Sequence, residues 1–111
     1  MSKVDLLKNE KEFEAFRQSK SFQSPALRIR VLSKINQDNP RFGFIIPKKV
    51  LPKVVDRNVV KRRIKTVLSR IVGKLKPVDV LMFPSKAILK KKFVDIEKEI
   101  NNLFSSAKLW K

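Results

Sequence analysis

The 111-residue sequence contains no cysteine and no histidine, and only 10 of its residues are acidic. Without cysteine the chain forms neither a disulfide framework nor a thiolate metal site. Without histidine it lacks the commonest metal ligand and the usual general base near neutral pH. These absences exclude the disulfide-stabilised classes and most protein-borne metal and acid–base sites.

Signals for export and membrane insertion are also missing from the sequence. Residues 1–7 are too short and too mixed in character for a signal peptide. No apolar run approaches the ~20 residues that a membrane span requires. We therefore expect a cytoplasmic protein whose residues 1–111 form a single domain with one small core.

Positive charge is what the chain has in excess. Lysine and arginine number 27, which gives a formal net charge of +17. Such a surface repels itself unless a polyanion screens it. Nucleic acid is the default partner, because each phosphate that is neutralised releases condensed counterions. An anionic membrane surface is the competing partner.

Two strands are predicted in the first half of the chain. Arg28 and Arg30 alternate with apolar residues over 27–31, which is the period of a strand with one buried face. A polar turn cluster at 36–40 separates this strand from a second one at 41–46. Two strands joined by a short polar turn predict an antiparallel hairpin.

Helices are predicted near the two ends of the chain. Asn9 is the expected cap of the first, and Phe13 and Phe16 lie on one of its sides. The last runs from about residue 93 to 107, with apolar residues at helical spacing. Between them, the nearly all-apolar stretch 78–83 predicts a strand at the centre of a sheet.

The strongest helical pattern spans Arg57 to Val72. Asp56 is the expected N-cap, and Gly73 is expected in the left-handed conformation that ends many helices. Its apolar stripe consists of Val60, Ile64, Val67, Leu68 and Ile71. In order, the elements predict an α+β protein, a two-layer α/β sandwich with the order α-β-β-(β)-α-β-α. Its helices would pack on a small mixed sheet.

The helix has a basic face as well as an apolar one. Between Lys48 and Lys76 the only acid is Asp56, whereas solvated faces usually mix both signs. The side chains expected roughly opposite the apolar stripe are those of Arg57, Asn58, Lys61, Arg62 and Lys65. Like charges at this spacing repel each other, so an anion from outside would stabilise the helix. This pattern predicts contact with RNA or DNA, between which composition and spacing do not choose.

The residues on and before this helix resemble the protein subunit of bacterial ribonuclease P. The similar stretches are Phe44 to Val50, Val54 to Asn58 and Lys61 to Lys65. That family has a strand that ends in a Lys-Lys pair, a short connector, and an Arg-Asn-Arg motif leading into a basic helix. Val59 stands in the third place of the motif, and Arg63 is a neighbour on the helix. The flanking elements are similar in order, so the resemblance covers nearly the whole chain.

The resemblance implies a ribonucleoprotein that removes the 5′ leader from precursor tRNA. The partner RNA would be the catalyst and would use Mg²⁺. The residues expected to bind that RNA are Arg57, Asn58, Lys61, Arg62, Lys65, Arg63, Lys48 and Lys49. The residues expected to bind the single-stranded leader are Phe13, Phe16, Arg28 and Arg30. Because the carboxylates are scattered, we assign the protein itself no catalytic residue, metal ligand or bound cofactor.

Other classes of protein share some of these features. A small ribosomal or ribosome-associated structural RNA-binding protein would have the same charge, size and basic helix. A nucleoid DNA-binding protein would differ in preferring duplex DNA. Membrane binding is the weakest alternative, because the core needs the apolar stripe of the helix. We assign no role to Trp110, which is expected at the end of the last helix.

Overall fold

The computed structural model describes residues 5–6, 19–33 and 39–111, and within them a five-stranded sheet has two α-helices packed on it. The strands are β1 (Asp5–Leu6), β2 (Lys20–Gln23), β3 (Leu27–Ser33), β4 (Arg41–Phe44) and β5 (Val78–Pro84). The helices are α1 (Val54–Ile71) and α2 (Phe93–Ser106), and 3₁₀ turns span Val72–Lys74 and Lys86–Lys90. The α+β class and the layered arrangement are confirmed. The opening helix expected around Asn9 lies outside the described residues.

The strand β5 lies at the centre of the sheet, whose order is β1-β4-β5-β3-β2. It pairs antiparallel with β3, with Leu27 opposite Pro84, and parallel with β4, with Phe42 opposite Val80. A strand with neighbours on both edges exposes little surface, which explains why the side chains of β5 are almost all apolar and buried. The central position predicted for residues 78–83 is therefore confirmed.

The predicted hairpin between residues 27–31 and 41–46 is wrong, because β5 lies between the two strands. The hairpin that exists joins β2 to β3, and its turn is closed by the Ser24 amide, which donates to the Leu27 carbonyl at 2.8 Å. Alternating hydrophobicity shows which face of a strand is buried but not which strand is its neighbour. The partner of β3 comes from much later in the chain.

Helix α1 buries the whole predicted stripe: Val60, Ile64, Val67, Leu68 and Ile71. It begins at Val54 rather than Arg57, with Lys53 at the N-cap and no side-chain cap. Asp56 is therefore not the cap. It lies in the first turn, where its negative charge still favours the positive end of the helix dipole.

The end of α1 also differs from the prediction. Gly73 does not adopt a left-handed conformation, since no glycine of the described residues has a positive φ. Instead the chain tightens into the 3₁₀ turn 72–74 and continues into Leu75, which is buried. A left-handed residue at position 73 is not needed, because the chain direction changes through this turn.

Helix α2 buries Ile96, Ile100, Leu103 and Phe104, which lie at the helical spacing that the sequence predicts. Phe93 and Ala107, on the same side, are half-buried against the same core. The helix ends in a Schellman motif. In it, the Leu109 amide donates to the Phe104 carbonyl at 2.9 Å and the Lys108 amide to the Ser105 carbonyl at 3.1 Å.

The two faces of the sheet have different surroundings. On one face, Ile29, Phe42 and Val80 join the residues of α1 and α2 in the main core. On the other, Leu81 is buried in a smaller cluster that contains Phe83. The alternation along β3 places Arg28 and Arg30 on this second face, as predicted. The second face therefore combines apolar and basic side chains.

Candidate nucleic-acid interface

The basic side chains of α1 differ in how far they reach solvent. Asn58 and Arg62 are exposed, whereas Lys61, Arg63 and Lys65 are half-buried. At about 100° per residue, Arg62 lies opposite the apolar stripe, and Lys61 lies nearer to its edge. The exposed part of the predicted face is therefore centred on Arg62 and Asn58.

Arg57 does not share this exposed surface. Its Nη1 donates to the carbonyl oxygens of Leu51 at 2.7 Å and Pro52 at 3.0 Å. The helical period places Arg57 beside the apolar stripe rather than opposite it, which brings its guanidinium within reach of the connector. Arg57 consequently fixes the connector against the first turn of α1, in addition to adding positive charge.

The connector before α1 presents two lysines in a fixed turn. The amides of Val50 and Leu51 both donate to the Pro47 carbonyl, at 2.9 and 3.1 Å. Leu51 is only 2% exposed and anchors the turn to the core. Lys48 and Lys49 are both exposed on it. The structure thus places these two predicted residues at the same end of the molecule as the start of α1.

A surface groove of about 590 Å³ opens at this end of the sheet, and we call it the sheet-end groove. Its lining includes Arg28 from β3, Lys49 from the connector, Phe83 from β5 and Lys86 beyond β5. The Arg28 guanidinium carbon lies 4.4 Å from the centre of the Phe83 ring, as in a cation–π contact. The groove therefore brings together residues that the sequence assigned to two different RNA-binding surfaces.

Of the other residues predicted to bind the leader, the structure describes Arg30. Arg30 is half-buried on the same face of β3 as Arg28, and it is not part of the groove lining. Phe13 and Phe16 lie outside the described residues. Of the two predicted leader residues that the structure describes, Arg28 lies in the groove lining and Arg30 does not.

Two residues of the groove lining, Phe83 and Lys86, were not among the residues predicted from the sequence. Val80 and Met82 face the core, so the period of two in β5 sends Phe83 to the opposite face. That parity could have identified Phe83 as an aromatic residue outside the main core. Lys86 had no such signal, because it belongs to a basic loop whose path depends on tertiary contacts.

Glu99 on α2 holds one wall of the groove in place. Its Oε2 accepts hydrogen bonds from the Ser24 hydroxyl at 2.6 Å and from the Ala26 amide at 3.2 Å, and its Oε1 pairs with Lys91 Nζ at 2.7 Å. Burial alone would raise the pKa of Glu99, but these hydrogen bonds and the charge of Lys91 hold that pKa below its ordinary value. The carboxylate thereby ties the β2–β3 turn to α2.

The described residues contain no cluster of three or more carboxylate, histidine or cysteine side chains able to hold a metal ion. The helices in the same ranges include none that is long and apolar enough to cross a membrane. The chemistry that this part of the chain offers is cationic and aromatic. Such groups bind phosphates and bases.

Comparisons with known proteins agree with this chemistry. The sequence model of a family described as "Ribonuclease P" matches residues 1–108. The chain is 30% identical over 111 residues to the ribonuclease P protein component of Streptococcus pyogenes serotype M49, covering 98% of this chain and 91% of that protein. It is 29% identical over 110 residues to the corresponding protein of serotype M5, with the same coverage.

Solved structures show the same fold. The RNase P protein of Staphylococcus aureus superposes with a TM-score of 0.87 at 17% identity, covering 98% of this chain and 100% of that chain. The RNase P protein of Thermotoga maritima superposes with a TM-score of 0.79 at 22% identity, covering 89% of this chain and 94% of that chain. The arrangement of strands and helices is therefore shared although few residues are.

Proposed function

Because the chain belongs to the ribonuclease P protein family, we propose that it binds the catalytic RNA of ribonuclease P through α1 and the connector, and the 5′ leader of precursor tRNA in the sheet-end groove. Family membership makes it the protein component of an endoribonuclease that acts in tRNA 5′ maturation, with RNA as its partner. The ribosomal alternative is not favoured, because the family match spans residues 1–108. The proposal places the protein in the cytoplasm with its RNA partners.

The observation that supports the proposal most is the contact between Arg28 and Phe83 inside a groove that also includes Lys49. A guanidinium stacked on a ring presents a flat surface to an unpaired base, and stacking stabilises a bound base by ~1–3 kcal/mol. Lys49 and Lys86 would neutralise the phosphates on either side. Such a site tolerates many sequences, as a leader site must.

For the catalytic RNA, the supporting observation is the exposure of Lys48 and Lys49 on the connector and of Asn58 and Arg62 on α1. Arg57 fixes the connector lysines relative to the helix. Asn58 adds a neutral donor and acceptor suited to a base edge or a 2′-hydroxyl. Val59, which is half-buried, takes the third place of the family motif, and Arg63, four residues further along α1, supplies an additional positive charge.

The proposal assigns catalysis to the RNA and to Mg²⁺ ions held by it. The donor set of the described residues does not fit a protein-held metal centre, since their carboxylates are dispersed or engaged by basic side chains. The protein's own side chains contribute binding and orientation. No proton-transfer step is assigned to them.

Reconstitution tests the proposal. The chain should restore cleavage of precursor tRNA by a bacterial ribonuclease P RNA at a low Mg²⁺ concentration that does not support the RNA alone. Competition with duplex DNA at matched salt should leave RNA binding dominant. Failure to stimulate cleavage, or a preference for duplex DNA, would overturn the assignment.

Leader binding has its own test, in which precursors with a long and a one-nucleotide leader are compared. Arg28→Ala and Phe83→Leu should each raise KM for the long-leader precursor by about tenfold, the effect of losing one stacked base, with little change for the short one. Lys98→Ala is the matched control, because Lys98 is exposed on α2 and outside the groove lining. Equal effects on both precursors would argue against a leader site in the groove.

A further inference from the structure

At the end of the sheet opposite the sheet-end groove, the C-terminal residues dock beside the entry to β5. The Lys76 amide donates to the Leu109 carbonyl at 2.8 Å, and the Lys111 amide donates to the Lys74 carbonyl at 2.9 Å. Leu75 and Trp110 form an isolated antiparallel bridge between the two segments. We call residues 74–76 and 108–111 the C-terminal clip.

The main chain of the clip is held firmly. Leu75 is 1% exposed and Leu109 is 2% exposed, so both segments are anchored in the core. The Trp110 ring packs edge-on against Phe104 with 6.4 Å between ring centres, and its Nε1 donates to the Ser105 hydroxyl at 3.0 Å. Trp110 therefore packs against α2 and stabilises the clip, and the chain is not frayed at this residue.

The exposed side chains of the clip are lysines: Lys74, Lys76, Lys108 and Lys111. The Lys111 Nζ donates to the Gly73 carbonyl at 3.4 Å. A second groove, of about 460 Å³, lies between the clip and the β2–β3 hairpin. Lys20, Lys76 and Lys108 contribute to its lining, and the described part of that lining contains no carboxylate.

Lys108 has an unusual backbone conformation. Its φ is 58°, and it is the one described residue other than glycine with a positive φ. As the left-handed residue of the Schellman motif it occupies a position where glycine is usual, because a side chain is strained there. Glycine would adopt this conformation with less strain. The presence of a lysine therefore indicates that its charge has a role other than stabilising the fold.

We propose that the C-terminal clip and Lys20 form a third RNA-binding surface, in addition to α1 with its connector and the sheet-end groove, which holds the phosphate backbone of folded RNA. Charge complementarity supports RNA as the occupant, because three lysines and no carboxylate are among the described residues that line the groove. The seven residues of β5 separate this surface from the sheet-end groove, a distance of ~20 Å at the usual rise per residue. The protein would thus contact RNA at both ends of the sheet. This inference rests on RNA being the partner and does not depend on which RNA element binds α1.

Salt-dependent binding tests the proposal, with a bacterial ribonuclease P RNA transcript as the probe. The double variant Lys76→Ala/Lys108→Ala should bind more weakly and should reduce the slope of log K against log salt by about two, because two phosphate contacts are lost. The control Lys90→Ala/Lys98→Ala removes the same charge from two exposed residues elsewhere. An equal loss of slope in the control would show that net charge, and not the clip, is responsible.

Lys108 permits a sharper experiment, because replacing it with glycine should relieve strain and stabilise the fold, whereas loss of its charge should weaken RNA binding. Lys108→Gly should raise Tm by a few degrees and still weaken RNA binding several-fold, whereas Lys108→Arg should preserve both properties. A Lys108→Gly protein with higher Tm and unchanged RNA affinity would overturn the proposal. So would binding to phosphatidylglycerol vesicles that depends on these lysines while RNA binding does not.

The same assay separates this proposal from the function assigned to α1. Arg62→Ala should also weaken binding, and its effect should add to that of the clip variants because the two surfaces are far apart. If only the clip variants weaken binding, the assignment of α1 fails and the clip remains. If only Arg62→Ala weakens it, the clip proposal fails.

Discussion

The two helices of this protein lie on the same face of the sheet and differ in how their charges are balanced. On α2, Glu97 pairs with Arg70 at 3.2 Å and Glu99 pairs with Lys91 at 2.7 Å. On α1, none of the ion pairs formed among the described residues includes Lys61, Arg62 or Lys65. Charge balanced within the chain stabilises the fold, and charge left unbalanced is available to a polyanion. Substitutions on the two helices should therefore have different consequences.

The largest effect is expected for the buried apolar residues, which both helices contribute to the core. Ile64→Ala and Ile100→Ala should each lower the free energy of unfolding by about 2–5 kcal/mol, because both side chains are fully buried in the main core. Urea denaturation measures both values. RNA affinity of the Ile64 variant should fall only as far as its unfolded fraction requires. A loss of affinity in fully folded Ile64→Ala protein would mean that the apolar stripe contacts RNA.

The next largest effect is expected for a balanced charge of α2. Glu99→Gln should lower the free energy of unfolding by about 1.5–3 kcal/mol, since it weakens hydrogen bonds made by a charged group that is only 14% exposed. Folding lowers the pKa of Glu99 below its ordinary value of 4.5, so its stabilising contribution is present above that value. The contribution is lost as the pH falls through the lower pKa of the folded state.

Urea denaturation at neutral pH and near pH 3 checks this sign. The difference between Glu99→Gln and the unsubstituted protein should be largest at neutral pH and should shrink in acid. Glu97→Gln is the control, because its partner Arg70 is 51% exposed and exposed pairs contribute little. A difference that persists undiminished in acid would show that the Glu99 charge is not what ties the β2–β3 turn to α2.

How far the fold is predictable depends on whether a feature is local. The stripe of α1 follows from helical periodicity and the central position of β5 follows from its nearly all-apolar composition, and both predictions are confirmed. The pairing of β3 with β5 joins Leu27 to Pro84 and has no local signal, so proximity along the chain favoured the wrong hairpin. The end of α1 was mispredicted for a related reason, since the burial of Leu75 determines the path after Gly73.

The candidate site shows the same division. The exposure of Arg62 agrees with the position predicted from the helical period. Lys48 and Lys49, which were assigned through the family resemblance, are also exposed. The role of Arg57 could not be predicted, because its acceptors are the main-chain carbonyls of Leu51 and Pro52, whose direction depends on the path of the connector. The RNA-binding assignments of all these residues remain predictions.

A smaller effect is expected for the exposed charges of α1. Arg62→Ala and Lys61→Ala should each weaken binding to ribonuclease P RNA and reduce the salt slope by about one, because each removes one phosphate contact. The Arg62 variant should show the larger loss, since Arg62 is exposed and Lys61 is half-buried. Urea denaturation should show almost unchanged stability. An unchanged slope for both variants would mean that these charges are only solvated.

The smallest expected effect is the most direct test of the difference between the helices, because charge-removing substitutions on α1 and α2 should change the free energy of unfolding in opposite directions. Arg62→Gln relieves repulsion among like charges on α1 and should raise the free energy of unfolding by a few tenths of a kcal/mol at low salt. Glu97→Gln on α2 removes the attractive pair with Arg70 of α1 and should lower the free energy of unfolding by a similar amount. Both differences should vanish at high salt, where exposed charges are screened. If Arg62→Gln instead destabilised the free protein, the positive charge of α1 would contribute to the fold, and its excess would no longer indicate a partner.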